Sequence, residues 1–289
     1  YLLLMNQDAR FRQPGKGGAL LDVFAHRYLL KLLVRKDLRV RYRGSVLGML
    51  WTYVKPAVQF MVFYFAVGVF LGMNRNIENF PVYLFSGIVV INFFNEASGP
   101  ATRSIVENAA LVKKIYLPRE LFSVSAIWVA SIHFFPQVVV LIVGALITGW
   151  RPSLFPLLGG LLGFAILAVF SLGLGLLFGS INVLVRDAQN IVELLAMVVN
   201  WTSPVLYHWS NVVNVLGTGV GWTLYNLNPL TPVVGLFHWC FWSSTAPDSY
   251  TPPPGLATYT GLAILVSLAT LLIGQLVFHR LDGRFAQEL

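Results

Sequence analysis

The chain has 289 residues, of which 56% are hydrophobic and only 11% are charged. A soluble domain carries about a quarter charged residues, so this composition excludes an ordinary soluble domain and indicates a surface that faces lipid. The single cysteine, Cys240, excludes an internal disulfide framework and a cysteine-based zinc site.

A basic segment precedes the first apolar stretch. Apolar residues recur at every fourth position in residues 19–35, at Leu20, Phe24, Tyr28 and Leu32. This spacing predicts an amphipathic helix on the anionic inner leaflet, with an ordinary juxtamembrane anchor as the alternative. Three arginines follow, at Arg39, Arg41 and Arg43. Because a guanidinium binds phosphate through two hydrogen bonds, they are candidates for a substrate entrance that binds a lipid pyrophosphate. Anchoring by positive charge is the simpler interpretation.

Six apolar stretches follow that are candidates to cross the roughly 30 Å of membrane hydrocarbon. They lie at residues 57–72, 80–95, 121–150, 152–185, 191–207 and 255–279, and Pro204 interrupts the fifth. The segment 208–255 contains no Lys or Arg but four of the eight tryptophans. Because tryptophan favours the membrane–water boundary, we expect re-entrant or interfacial helices there, on the outer face. An extra pair of short spans is the alternative.

The distribution of basic residues predicts the orientation in the membrane. Of the twenty Lys and Arg residues, only Arg75 and Arg151 fall on the side opposite to the rest. We therefore predict a multi-pass protein of the inner (plasma) membrane with both termini in the cytoplasm. Its expected parts are a cytoplasmic segment with the interface helix (1–50), a six-helix transmembrane domain (51–280) and a cytoplasmic tail (281–289). Charge segregated in this way argues against nucleic acid as the partner of this net +8 chain.

The predicted cytoplasmic segment at residues 100–121 is longer and more polar than a bare connector between two spans. Ser104 and Glu107 have the spacing of a helix-capping box, and Pro118 predicts the end of the helix. We expect this segment to contact a cytoplasmic partner. The candidate contact residues are Glu107, Asn108, Leu111, Lys113 and Lys114.

Ionisable residues are scarce inside the predicted spans. Glu96 lies at the cytoplasmic end of the second span, and His133 stands alone in the third, where a helix–helix hydrogen bond is its expected role. An ion-coupled transporter would have little chemistry to use. The glycines at 14–18 lack the spacing of a phosphate-binding loop, so we expect no ATP site and no cofactor in this chain.

Aromatic side chains also fall inside the predicted spans. Their faces stack on the apolar faces of sugar rings without fixing the register, whereas many fixed hydrogen bonds would resist sliding. The candidates for such channel positions are Tyr64, Phe93, Phe94, Trp201 and Tyr207. We expect some of them to face a central passage and the others to pack between helices or face lipid.

Four motifs resemble those of the membrane subunits of polysaccharide-exporting ABC transporters, the family of the O-antigen, teichoic-acid and capsule exporters. They are RYRGSVLGMLWTYVKP (41–56), ENAALVKKIYLPREL (107–121), VRDAQN (185–190) and NLNPLTP (226–232). The resemblance implies a homodimer of six-helix subunits, paired with two separate ATPase subunits that bind ATP and Mg. It further implies that residues 100–118 form the coupling helix and that the outer segment forms gate helices. Within the family the motifs are most similar to the actinobacterial galactan-type exporters.

The sequence therefore predicts an all-α integral membrane protein that is a transport subunit and not an enzyme. Its predicted function is that of the permease of an ATP-driven exporter of lipid-linked polysaccharide, in contact with membrane lipids. An ABC permease for a drug or small lipid is the first alternative. A membrane glycosyltransferase or acyltransferase is the second, and it would need clustered Asp, Glu or His near one membrane face.

Overall fold

The computed structural model describes residues 20–75, 77–114, 117–248 and 250–289, and no strand occurs among them. Their α-helices are α1 (Leu20–Ala25), α2 (Arg27–Arg41), α3 (Trp51–Phe63), α4 (Phe80–Glu107), α5 (Ala109–Lys114), α6 (Glu120–Ile147), α7 (Leu154–Leu184), α8 (Ala188–Trp201), α9 (Trp209–Leu216), α10 (Val220–Tyr225), α11 (Leu230–Phe237), α12 (Leu256–Asp282) and α13 (Phe285–Glu288). A 3₁₀ turn at Gly48–Leu50 leads into α3. Two helices continue as π-helix, α3 through Tyr64–Phe70 and α11 through His238–Trp242.

Within the described residues, five helical stretches are long and apolar enough to cross a membrane. They are Gly48–Phe70, Phe80–Glu107, Glu120–Ile147, Leu154–Leu184 and Leu256–Asp282, which match the predicted first, second, third, fourth and sixth spans. The predicted fifth span is α8, which has 14 residues and ends ahead of Pro204. At 1.5 Å per residue it covers about 21 Å as a continuous helix.

The second span is longer than the sequence predicted. The expected end was residue 95, but α4 continues through Pro100 to Glu107. Ser104 therefore lies inside a helix, and its hydroxyl donates a hydrogen bond to the Ala101 carbonyl at 2.7 Å. The predicted capping box is wrong for this reason. The chain instead breaks at Asn108, before the short helix α5, and residues 115 and 116 of the predicted contact segment lie outside the described residues.

The bundle is organised around α4 and α7. Helix α4 packs against α6 and α7, and α7 packs closely against α12. Glycine allows the close contact between α7 and α12, because a Cβ atom at Gly173 would lie 2.6 Å from the backbone nitrogen of Leu271. Small residues let helix backbones approach where lipid supplies no hydrophobic driving force for association.

A second core lies at the end of the bundle that carries α2, α5 and α13, which we call the basic end. We call this cluster the terminal core. It consists of Val23, Leu33, Ile105, Val112, Leu121, Phe122, Leu176, Val183, Phe278 and Phe285. It joins both ends of the described chain to the predicted partner-contact segment, residues 100–121, so α5 packs on the bundle through Val112. The rest of the predicted N-terminal segment, residues 1–19, lies outside the described residues.

The N-terminal helix breaks after Ala25 and ends later than predicted, at Arg41. Its protein-facing side carries Leu33, which is buried, whereas Tyr28 is 71% exposed and Leu32 is 42% exposed. The apolar stripe that the sequence picked out is thus partly free of protein contact. Another stripe seats the helix on α6.

The segment 208–255 forms short helices, as expected, but these helices differ in how far they are buried within the protein. Helix α9 has no buried residue, whereas every residue of α11 is buried against α4, α7 and α12. The prediction allowed re-entrant or interfacial helices, and the burial of α11 is consistent with the first of these. Trp222 and Trp242 are also buried, and their indole nitrogens donate to the carbonyls of Pro254 and Glu78.

Candidate functional site

An open cavity of about 510 Å³ lies where the end of α2, the start of α3 and the middle of α4 and α6 meet. We call it the polar pocket. Its wall carries three cations and one carboxylate, together with four side-chain amides and an indole. These groups belong to Arg41, Lys55, Arg103, Glu96, Gln59, Asn92, Asn95, Gln137 and Trp51. Such a surface offers charge for a phosphate and hydrogen-bond donors and acceptors for hydroxyl groups.

A hydrogen-bonded ion pair fixes the inner wall of the polar pocket. The Arg41 Nη2 atom lies 2.5 Å from Glu96 Oε1, and His133 Nδ1 lies 2.8 Å from the same oxygen. The hydroxyl of Tyr42 lies 2.9 Å from His133 Nε2. Both ring nitrogens of His133 are thus satisfied when the proton is on Nδ1. The cluster ties the end of α2 to both α4 and α6.

His133 is isolated in the sequence, but in the structure it has two polar partners, Glu96 and Tyr42. It is 1% exposed and makes the helix–helix hydrogen bond that we expected, to Glu96 on α4. Burial raises the pKa of Tyr42, and this effect outweighs the Arg41 guanidinium, which lowers it. Tyr42 consequently keeps its proton, and its hydroxyl can donate a hydrogen bond to His133 Nε2.

Only one of the three predicted entrance arginines lines the polar pocket. Arg41 does so, whereas Arg39 and Arg43 are exposed and lie outside its wall. Two further cations line it that were not predicted from the sequence, Lys55 and Arg103. Arg103 pairs with Glu107 and Glu193 at 3.5 and 3.4 Å, and Lys55 makes no ion pair among the described residues.

The amides were also missed, although the sequence carried a signal for them. Asn92, Asn95, Glu96 and Arg103 recur on α4 with the spacing of one helix face. The side-chain nitrogen of Asn92 donates to Gln137 at 3.1 Å, and that of Asn200 on α8 donates to Asn95 at 2.9 Å. This polar face continues into a neighbouring groove between α4 and α8.

The five candidate channel aromatics fall into different environments. Trp201 is 66% exposed and lines the groove between α4 and α8, and Tyr207 is half-buried in an adjoining cavity. Tyr64 is half-buried and stacks on Phe60. In contrast, Phe93 and Phe94 are each 1% exposed.

Phe93 and Phe94 are among the candidates that pack between helices. Phe93 packs edge-on against Phe134 and Phe164, and Phe94 stacks on Phe170. Both rings are enclosed by α6 and α7, so they act as packing residues of the bundle core.

The residues predicted to contact a partner lie at the basic end. Glu107, Lys113 and Lys114 are exposed, and Leu111 is partly buried against the terminal core. Asn108 is buried, and its side chain accepts a hydrogen bond from Lys36 Nζ at 2.5 Å while it donates to the Ser104 carbonyl at 2.8 Å. It therefore holds the α4–α5 junction against α2 and is not itself a free contact residue.

A second tie follows the coupling segment. The Arg119 guanidinium pairs with the Asp282 carboxylate at 2.8 Å and also donates to the Asp282 carbonyl. Its carbon lies 5.5 Å from the centre of the Phe285 ring. The start of α6 is thereby fixed to the C-terminal end of α12. No sequence signal pointed to this contact.

Comparisons with known proteins agree with the motifs. The family model for ABC-2 type transporters matches residues 28–242, about three quarters of the chain. The chain is 28% identical over 261 residues to an O-antigen export system permease protein RfbA from Klebsiella pneumoniae, covering 90% of this chain and 95% of that protein. It is 27% identical over 272 residues to the protein of the same name from Myxococcus xanthus, covering 93% and 98%. The chain therefore belongs to the ABC-2 type transporter family, which confirms the resemblance drawn from its motifs.

Proposed function

We propose that this chain is the permease subunit of an ATP-driven exporter that moves a lipid-linked polysaccharide from the cytoplasmic to the outer face of the inner membrane. The polar pocket carries the proposal, because it places three cations beside four amides and an indole where the end of α2 meets the middle of α4 and α6 in an otherwise apolar bundle. The printed function of the related permeases supports the same substrate class.

The chemistry of the pocket matches such a substrate. A phosphate attached to a lipid needs cations, since charge-assisted hydrogen bonds are about twice as strong as neutral ones. Sugar hydroxyls both donate and accept, which suits the amides of Asn92, Asn95 and Gln59. The exposed ring of Trp201 offers a face for a sugar ring in the neighbouring groove.

We propose the following assembly and topology for this function. Two copies of the chain pair with two ATPase subunits, which bind ATP and Mg. Both termini are cytoplasmic, α8 with the residues that follow it serves as the fifth of six membrane segments, and α9 to α11 form the outer gate. The coupling surface is the exposed face of α5 together with Glu107 at the end of α4. The support is the segregation of eighteen of the twenty Lys and Arg residues and the seating of α5 on the terminal core.

The substrate class is tested by depletion of the protein in its own cells. A lipid-linked glycan should accumulate on the inner side of the membrane, detected by mass spectrometry of extracted lipids. Accumulation of a drug or small lipid, with normal surface glycan, would contradict the proposal and support the first alternative. The purified chain alone should hydrolyse no ATP.

The coupling surface is tested by reversing its exposed charges one at a time, as Glu107→Lys, Lys113→Glu and Lys114→Glu. Each change should lower the yield of the complex with the ATPase, or uncouple hydrolysis from export, while the subunit still inserts. Loss of one partner of a buried interface charge pair costs about 2–5 kcal/mol. Arg151→Glu, an exposed reversal at the other end of the bundle, is the matched control. Unchanged yield and export for all three would make α5 a mere connector.

A further inference from the structure

An apolar groove of about 300 Å³ lies beside the polar pocket, between α3, α4 and α6. Its walls include Ala57 and Phe60 on α3, Phe85 on α4, and Val140 and Gly144 on α6. The span that contains α3 is loosely packed beside the groove: 11% of the apolar stretch within Gly48–Phe70 is buried inside the protein, against 67% of that within Phe80–Glu107.

The groove and the polar pocket adjoin each other. Both are lined by Pro56 and Gln137, which mark the boundary between them. The Gln137 amide is satisfied within the bundle, because it accepts from Asn92 at 3.1 Å and donates to the His133 carbonyl at 3.2 Å. From Gln137 to Thr148 the groove follows α6 for about 16 Å, away from the basic end.

We propose that the groove and the polar pocket form one amphipathic site within a single subunit. The pocket binds the phosphate and first sugar of a lipid-linked saccharide, and the groove holds the first part of its hydrocarbon chain. This inference rests on the proposed function and assigns a place to the lipid anchor.

The charges select an anionic occupant. Arg41 pairs with Glu96, and Arg103 pairs with Glu107 and Glu193. Lys55 has no ion-pair partner among the described residues, so its charge is in excess on the pocket wall. The groove begins beside this excess positive charge, so a lipid with a phosphate headgroup matches both parts. A plain phospholipid would leave the amides of Gln59, Asn92 and Asn95 in the wall unused, which favours a headgroup that carries sugar hydroxyls.

The two parts contribute differently to binding. Moving a hydrocarbon chain from the bilayer into the groove gains little hydrophobic free energy, because lipid is already apolar. The headgroup contacts must therefore supply the affinity, and the groove sets the direction and position of the chain. Headgroup changes should alter the affinity directly, whereas a groove change should act by excluding the chain.

Gly144 offers a clean way to fill the groove. A Cβ atom built there meets no atom within 4 Å, so a larger side chain enters the open space without displacing a neighbour. Gly261 on α12 is also an open helix glycine, but it is not part of the groove wall, which makes Gly261→Leu a matched control.

The test uses the full chain purified with its ATPase in detergent and native mass spectrometry of bound lipid. The probes are undecaprenyl diphosphate-linked N-acetylglucosamine, undecaprenol and dioleoyl phosphatidylglycerol. Wild type and Gly261→Leu should retain the saccharide lipid, Gly144→Leu should lose at least about tenfold in affinity, and Lys55→Gln about tenfold. Undecaprenol should bind poorly in every case.

Several results would overturn the site. Equal retention by Gly144→Leu and wild type, at unchanged thermal midpoints, would show that the groove holds no chain. Equal competition by phosphatidylglycerol would assign the site to bulk anionic lipid. Should Gly144→Leu fold poorly, unchanged binding by the exposed variant Lys55→Gln would equally refute it. If glycan still accumulates on depletion, the proposed function stands in all these cases, so the two failures are distinguishable.

Discussion

The tie between Arg119 and Asp282 gives the sharpest prediction about stability at the basic end. The two side chains are 16% and 18% exposed and their charged atoms are 2.8 Å apart. Removal of one partner from a buried ion pair costs about 3–5 kcal/mol, whereas an exposed pair is worth about 0–1 kcal/mol. For this largely buried pair at the water-facing end, we expect Asp282→Ala to cost about 2–3 kcal/mol.

The thermal unfolding midpoint of the protein in nanodiscs measures this loss. By the scaling of soluble domains, about 2–4 °C per kcal/mol, the midpoint should fall by about 4–12 °C. Arg119→Met should cost at least as much, because it also removes the contact with the Phe285 ring. Asp248→Ala, an exposed aspartate at the opposite end, is the control and should leave the midpoint unchanged.

A double-mutant cycle separates the pair from other effects of each change. Combined Arg119→Met and Asp282→Ala should cost less than the sum of the single changes, with a coupling of about 1–3 kcal/mol. Additive effects, or a fall of under about 1 °C in the midpoint for Asp282→Ala, would refute a stabilising role for the Arg119–Asp282 ion pair, because each kcal/mol should lower the midpoint by about 2–4 °C. Since Arg119 directly precedes α6, the same changes should raise ATP hydrolysis that is not coupled to export.

Three further predictions follow from the site and the core. Glu96→Gln should cost about 1–3 kcal/mol of stability, since it removes the charge paired with Arg41 at 2.5 Å; Glu96→Ala should cost more, and wild-type midpoints for both would contradict the ion pair. Burial lowers the pKa of His208, whose Nδ1 atom caps α9, so the neutral ring contributes stability above about pH 6.5 that is lost as the pH falls. His208→Asn keeps a cap and should make the unfolding midpoint less dependent on pH between pH 7 and pH 5. An unchanged dependence on pH would refute the role of His208. Trp201→Ala should reduce export at an unchanged midpoint, whereas Phe94→Ala should cost about 3–5 kcal/mol of stability, and the reverse order would show that the exposed ring is structural.

The sequence by itself determined the class of protein and most of its membrane-spanning helices. Length and apolar composition of a stretch are local properties, and lipid requires each span to satisfy its own backbone hydrogen bonds. Five of the six predicted spans are therefore found as long helices. Helix ends were less well predicted: the second span was expected to end at residue 95, but packing against α6 and α7 carries α4 on to Glu107.

The tertiary structure alone decided which side chains form the site. Phe94 and Trp201 are both aromatic residues in apolar stretches, yet one is enclosed by neighbouring helices and the other is open. Arg41, Glu96 and His133 come from three separate segments. Their contact depends on how α2, α4 and α6 are placed, and residues so far apart in the chain carry no common periodic signal.

The same distinction between local patterns and distant contacts applies to the predicted coupling segment. The sequence identified its polar surface at Lys113 and Lys114, because exposed charge on a short helix is a local pattern. It did not show that Asn108 is held by Lys36, or Arg119 by Asp282, since these partners are 72 and 163 residues apart. The composition of the chain specified a membrane protein, and the packing of distant helices determined which of its polar side chains lie together.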